Sequence, residues 1–194
     1  MKKILLTSFV VLISVSFANA QIVRSSSSNT TITAPDSYNR IYTTYSPAEL
    51  NGYMSCNDLA IGYLKGVNLT NALLYLEIGT EIESFWNKKV DFAVLRANLP
   101  INLTYRLRIG DNIAFSPYLG LRLIGNTLAI SDGHISGISD YSVRPIQLGG
   151  QGGIGLKIRS VFLGLGYKKD LTTFWGDYSD DGLSGLTLTF GIEF

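Results

Sequence analysis

A strict two-residue alternation of apolar and polar side chains constrains this chain more than any other feature. At its end, Leu186, Leu188, Phe190, Ile192 and Phe194 alternate with Gly185, Thr187, Thr189, Gly191 and Glu193, uninterrupted by Pro, Asn or Asp. Successive side chains of a strand point to opposite faces, so this period predicts a strand with one apolar face. The same rule holds over Leu74 to Glu83, Leu95 to Arg108, Ile113 to Leu123, Ile146 to Ile158 and Val161 to Thr172, with Lys169 the one exception in the last. Two weaker segments, Arg40 to Ser46 and Leu59 to Gly66, bring the number to eight, an even number that closes a membrane barrel.

The connections sort into two sets. Those near Val67 to Ala72, Gly110 to Asn112 and Arg159 to Ser160 are short, whereas those near Pro47 to Asn57, Phe85 to Asp91, Gly125 to Arg144 and Thr173 to Ser184 are longer. Short and long alternate along the chain, as expected if one set of turns lies on each side of a membrane. The expected architecture is an all-β, eight-stranded antiparallel transmembrane up-and-down β-barrel over residues 40–194.

The first twenty residues predict the compartment. Met1, Lys2 and Lys3 precede an apolar run from Ile4 to Phe17, and Ala18-Asn19-Ala20 carries the small residues of a cleavage site, so a signal peptide ending near Ala20 is expected. The run is too short to span a bilayer, and no later window approaches the length of a transmembrane helix. Residues 21–39 are Ser-rich and read as a flexible tail. Loss of Lys2 and Lys3 takes the 16 basic against 15 acidic side chains to 14 against 15, a near-neutral balance without the basic stripe that nucleic acid requires. Cys56, the single cysteine, can form no internal disulfide.

Periodicity alone fits an apolar face turned inward, as in a soluble lipocalin-like binder, or outward to lipid. Export and the terminal Phe194 favour lipid outside. Tyr45, Trp86 and Trp175 then fall at the long-loop end, with Tyr105, Phe115 and Phe194 near the other, as two aromatic belts.

With the export signal, the eight alternating segments and the ending Phe190-Gly191-Ile192-Glu193-Phe194, the chain resembles the OmpA- and OmpX-like outer-membrane barrels of Gram-negative bacteria over Arg40 to Phe194. The resemblance implies contact with outer-membrane lipid and lipopolysaccharide. It also implies handling by periplasmic chaperones and the barrel-assembly machinery, with Phe190, Ile192 and Phe194 as the assembly signal. The peptidoglycan-binding domain of longer members is not expected, and no cofactor, metal or shared catalytic motif is implied.

On the polar face, Glu77, Glu81, Glu83, Arg96, Arg106, Arg108, Arg122, Lys157, Lys168, Asp170 and Glu193 predict a salt-bridged plug, because the interior of eight strands is filled by side chains. Counting outward from the loop at Phe85 to Asp91 sets Glu81 opposite Arg96, within about two residues. Gly150-Gln151-Gly152-Gly153-Ile154-Gly155 matches a dinucleotide fingerprint in letters but lacks the strand-to-helix turn that would hold phosphates, so its glycines read as room for bulky lumen neighbours or a bend. His134, the one histidine, lies near Ser131, Asp132, Ser136, Ser139 and Asp140 in the longest loop. Some small outer-membrane barrels are lipid A acyltransferases or deacylases that use His with Ser, so His134 marks the enzymatic alternative. The principal expectation is a non-enzymatic structural or surface-interaction barrel, working through the Gly125 to Arg144 and Thr173 to Ser184 loops.

Overall fold

The computed structural model describes residues 37–194, apart from 51, 53, 70–72, 88, 90, 110–111, 132–133, 138–142 and 175–181. The expected signal peptide, most of the expected tail, Trp175 and much of the Thr173 to Ser184 connection lie outside the described residues.

The alternating segments become β1 (Ser37–Leu50), β2 (Met54–Asn68), β3 (Leu74–Asn87), β4 (Phe92–Tyr105), β5 (Leu107–Ile109), β6 (Ile113–Ser131), β7 (His134–Gly137), β8 (Ile146–Ile158), β9 (Val161–Asp170) and β10 (Leu183–Glu193). β4 and β5 form one stave interrupted at Arg106, and β7 is a short hairpin partner of β6. The staves are therefore eight. Every pairing is antiparallel, neighbours in sequence are neighbours in space, and β1 closes on β10. Closure is completed by the last residue, whose N–H donates to the Asn39 carbonyl (2.9 Å) while its own carbonyl accepts from the Asn39 N–H (2.8 Å).

Several staves run further than the alternation indicates. The connections expected to be long near Pro47 to Asn57 and Phe85 to Asp91 are short, because β1 and β2 extend to Leu50 and Met54, and β3 and β4 to Asn87 and Phe92. β1 also begins at Ser37, inside the expected tail. The Gly125 to Arg144 segment is not simply a loop, since β6 continues to Ser131 and folds back as β7. The reason is a β-bulge. Arg96 pairs with Asn126 but Leu95 with Leu128, so Thr127 is an extra residue and the outward positions change from odd to even, continuing through Leu128 and Ile130.

Inward glycines seat inward rings. A Cβ on Gly62, Gly66 or Gly155 would overlap the rings of Tyr42, Tyr38 and Phe162 respectively, and one on Gly153 would come within 2.9 Å of the Tyr118 hydroxyl. Gly153 and Gly155 of the fingerprint-like run thus give room to lumen side chains. The run lies wholly within β8 and continues to Ile158 as strand.

Candidate functional site

The barrel is inside-out relative to a soluble protein. Ile41 on β1, Ile61 on β2, Ile82 on β3, Leu121 on β6, Leu163 on β9 and Leu188 on β10 are exposed, whereas Glu77, Glu83, Arg96, Arg106, Arg122, Lys168 and Asp170 are buried. Leu121 is 52% exposed and Glu83 0%, opposite to the placement water would select. So continuous an apolar exterior is the surface of a barrel that meets hydrocarbon, with its charged positions in the lumen.

Those positions form two ion clusters. Nearer the β3–β4 turn, Glu83 is the hub: one carboxylate oxygen accepts from Arg122 Nη2 (2.5 Å) and Asn98 Nδ2 (2.6 Å), the other from Lys168 Nζ (2.5 Å). Glu81 accepts from Arg122 Nη2 (3.2 Å), Asn98 Nδ2 (2.9 Å) and the Tyr42 hydroxyl (2.9 Å), and Lys168 also pairs with Asp58. The Cα partner of Arg96 is Glu83 rather than Glu81, two residues from the expected register. The carboxylate that Arg96 meets is Asp170, at 3.1 Å, because the guanidinium reaches across the lumen instead of along the sheet.

Towards the opposite end, Arg40 Nη2 bridges Glu77 (3.1 Å) and Glu193 (3.0 Å), Arg106 and Lys157 also pair with Glu193, and the Tyr38 hydroxyl donates to Glu77. Arg40 lies over the Phe162 ring at 3.6 Å, and Arg106 over that of Tyr38 at 4.2 Å. Arg108 is half-buried on β5. Both clusters contribute to a cavity of about 40 Å³, lined by Arg40, Glu77, Glu81 and Arg122 among others, which has room for about three waters.

An apolar cap closes the lumen at the β3–β4 end. Ala48, Leu50, Cys56, Phe85, Val94, Ala129, Val143, Phe174 and Leu183 pack there as one buried cluster, with Met54 and Phe92 against it. Arg96 joins cap to charge, its guanidinium 4.5 Å from the Phe85 ring and 5.4 Å from that of Phe174. Arg40, Asp58, Tyr38 and Tyr42 are network members that the sequence reading leaves out. Their signal was the inward parity of β1 and β2, blurred by Thr43 and Gly62 in those strands. Among the described residues, no three His, Cys, Asp or Glu side chains are grouped to hold a metal.

Of the residues expected in belts, Tyr45 is exposed and donates to Asn57 Oδ1 (2.8 Å), while Trp86, Tyr105 and Phe115 are half-buried on the outward face. Phe190 and Ile192 are exposed on β10 and Phe194 just beyond its end, where Phe194 is 65% exposed. His134 is exposed at the start of β7, opposite Ser131 in register.

No protein-family model and no curated protein matches the sequence. Among solved structures, the chain is similar to Neisserial surface protein A (NspA), over 82% of this chain and 98% of that one, at 16% identity and a TM-score of 0.54. It is similar too to the outer membrane enzyme PagL, over 79% of this chain and 98% of that one, at 13% identity and a TM-score of 0.54. One scaffold carrying a surface protein and an enzyme fixes architecture without fixing activity. The chain thus has the fold of the small eight-stranded outer-membrane barrels, the group its alternating pattern resembles.

Proposed function

We propose that the protein is a non-enzymatic barrel of the Gram-negative outer membrane, a closed scaffold that carries its β6–β8 and β9–β10 connections as a surface for interaction. The observation that carries this reading is the blocked lumen. Glu83, Arg96 and Arg122 are fully buried across the barrel and an apolar cluster closes it above them, so solute has no wide path and the body of the barrel is support. Chemistry or contact then belongs to the outside, where loops on a rigid scaffold tolerate variation. Outer-membrane lipid and lipopolysaccharide are the partners of the apolar face. Phe190 and Ile192 on the strand that closes the barrel, with Phe194 immediately after it, are what periplasmic chaperones and the assembly machinery would recognise.

Replacing His134 with Ala separates this reading from a lipid A acyltransferase or deacylase. The lipid A acylation profile should be unchanged at equal protein level; an altered profile would overturn the non-enzymatic reading. A soluble lipocalin-like binder is disfavoured by the exposed apolar exterior, which water would not tolerate over so large an area.

A further inference from the structure

The ion cluster nearer the β3–β4 turn is short of one positive charge. Its ion pairs set four carboxyl groups, Asp58, Glu81, Glu83 and Asp170, against three cations, Arg96, Arg122 and Lys168, and all of them are buried. With every carboxyl ionised, one negative charge would stand uncompensated away from water, which burial penalises heavily. The opposite cluster does not repair the deficit. It sets Arg40, Arg106 and Lys157 against Glu77 and Glu193, but the Lys157 side chain is 24% exposed, so water takes up its excess.

The deficit has a definite place. Lys168 Nζ is shared between Asp58 and Glu83, and the two carboxyl groups lie within hydrogen-bond reach of each other. Glu83 has Arg122 and Asn98 as further donors, whereas beyond Lys168 no donor among the described residues reaches either buried oxygen of Asp58. The charged groups turned towards Asp58 are Glu83 from β3, Lys168 from β9 and Arg122 from β6. Ser46 faces it from β1 without charge, and Arg96 on β4 is held by Asp170. An ionised carboxylate only accepts, so two carboxyl groups bond to each other only when one carries a proton. Asp58 stands at the level of the cap, outside the band that lipid surrounds: it pairs with Phe85, and Phe85 with Val94, both members of the apolar cluster.

We propose that Asp58 and Glu83 share one proton at neutral pH, held between their carboxyl groups beside Lys168, and that this proton makes the cluster neutral. Its loss would set two carboxylates side by side on β2 and β3 against a single ammonium, directly under the cap. The pair is therefore a pH-sensitive clasp at the end of the barrel that carries the β6–β8 and β9–β10 connections. An aspartate in the unfolded chain gives up its proton above about pH 4, so unfolding at neutral pH releases the shared proton. Stability from this pair is then lost as pH rises, until the folded barrel releases the proton too.

Infrared spectra of the folded full chain, in D2O and an ester-free detergent at neutral pH, should show the C=O stretch of an un-ionised carboxyl group. Asp58→Asn should abolish that band, while Glu49→Gln, exposed on β1, should leave it. Urea unfolding in lipid vesicles gives a second reading. The unfolding constant of wild type relative to Asp58→Asn should rise about tenfold per pH unit between about pH 5 and pH 7. Should Asp58→Asn fail to fold, Glu83→Gln takes its place, since it removes the same negative charge. A wild-type spectrum without the band, a band that survives the variant, or a ratio that does not move with pH would each overturn the shared proton. A flat ratio with the variant less stable throughout would make Asp58 an ionised partner of Lys168 instead.

Discussion

The middle of the barrel and its cap solve the same packing problem with opposite chemistry. In the middle, Ile61 and Ile82 point out while Glu81 and Glu83 point in. Nearer the loop end of β2, and on its neighbour β1, Glu49, Ser55 and Asn57 point out and Ala48, Leu50 and Cys56 point in. The pleat is unchanged; what changes is the solvent. Where lipid surrounds the barrel, the lumen is the sole place for charge, and opposite charges must neutralise each other there. Where water surrounds it, the barrel buries apolar side chains as any soluble sheet does. The inversion is one-sided: Leu95, Leu128 and Ile130 keep β4 and β6 apolar outside beside the cap.

Breaking the hub of the ionic middle should have the largest effect. Glu83→Ala removes the acceptor shared by Arg122, Lys168 and Asn98, so that Arg122 keeps only Glu81 and Lys168 only Asp58, and the buried cluster loses one negative charge. It should cost on the order of 3 to 5 kcal/mol, read by urea unfolding in lipid vesicles and by loss of heat-resistant gel migration. Phe174→Ala opens the cap and uncovers Arg96; a cost of about 3 kcal/mol is expected by the same assay. The two regions should then diverge towards an added outward charge. Leu121→Arg, in the apolar band, should cost about 2 to 4 kcal/mol, and Asn57→Arg, beside the cap, less than about 1. Equal costs at these two positions would remove the boundary between lipid and water drawn above. Deleting Phe194 should change unfolding least, since it takes away one exposed ring and two backbone bonds, yet lower the folded protein recovered from outer membranes. Truncating residues 132–142 should leave that yield nearly intact.

The middle was legible in the sequence because Leu186 to Phe194 or Leu74 to Glu83 alternates with one sign throughout, and a sheet with one charged face declares its period. The cap was not, because the sign of alternation reverses there. Pro47, Glu49, Ser55 and Asn57 read as loop residues when apolar positions are sought on the outward parity, so the ends of β1 and β2 look like a long connection in the sequence. Beyond Gly125 the failure was one of parity, since the extra residue Thr127 moves Leu128 and Ile130 to the other register. Membership of the polar face could be read from alternation, but partners could not: Arg96 meets Asp170 across the lumen, a distance that depends on closure of the whole barrel. Lateral neighbours on the outer face were equally out of reach, since Ile61, Ala97 and Ile146 come into one row only through the pairing of five strands.

The most direct test of the inside-out barrel is to fractionate cells producing the full chain and ask what releases the protein. It should sediment with outer membranes, resist extraction by salt and by alkaline carbonate, need detergent for release, and run on unheated gels as a compact species that slows on boiling. Recovery in the soluble periplasmic fraction, folded and free of detergent, would contradict the account at its root, because the exposed row from Ile41 to Phe194 could not then face lipid.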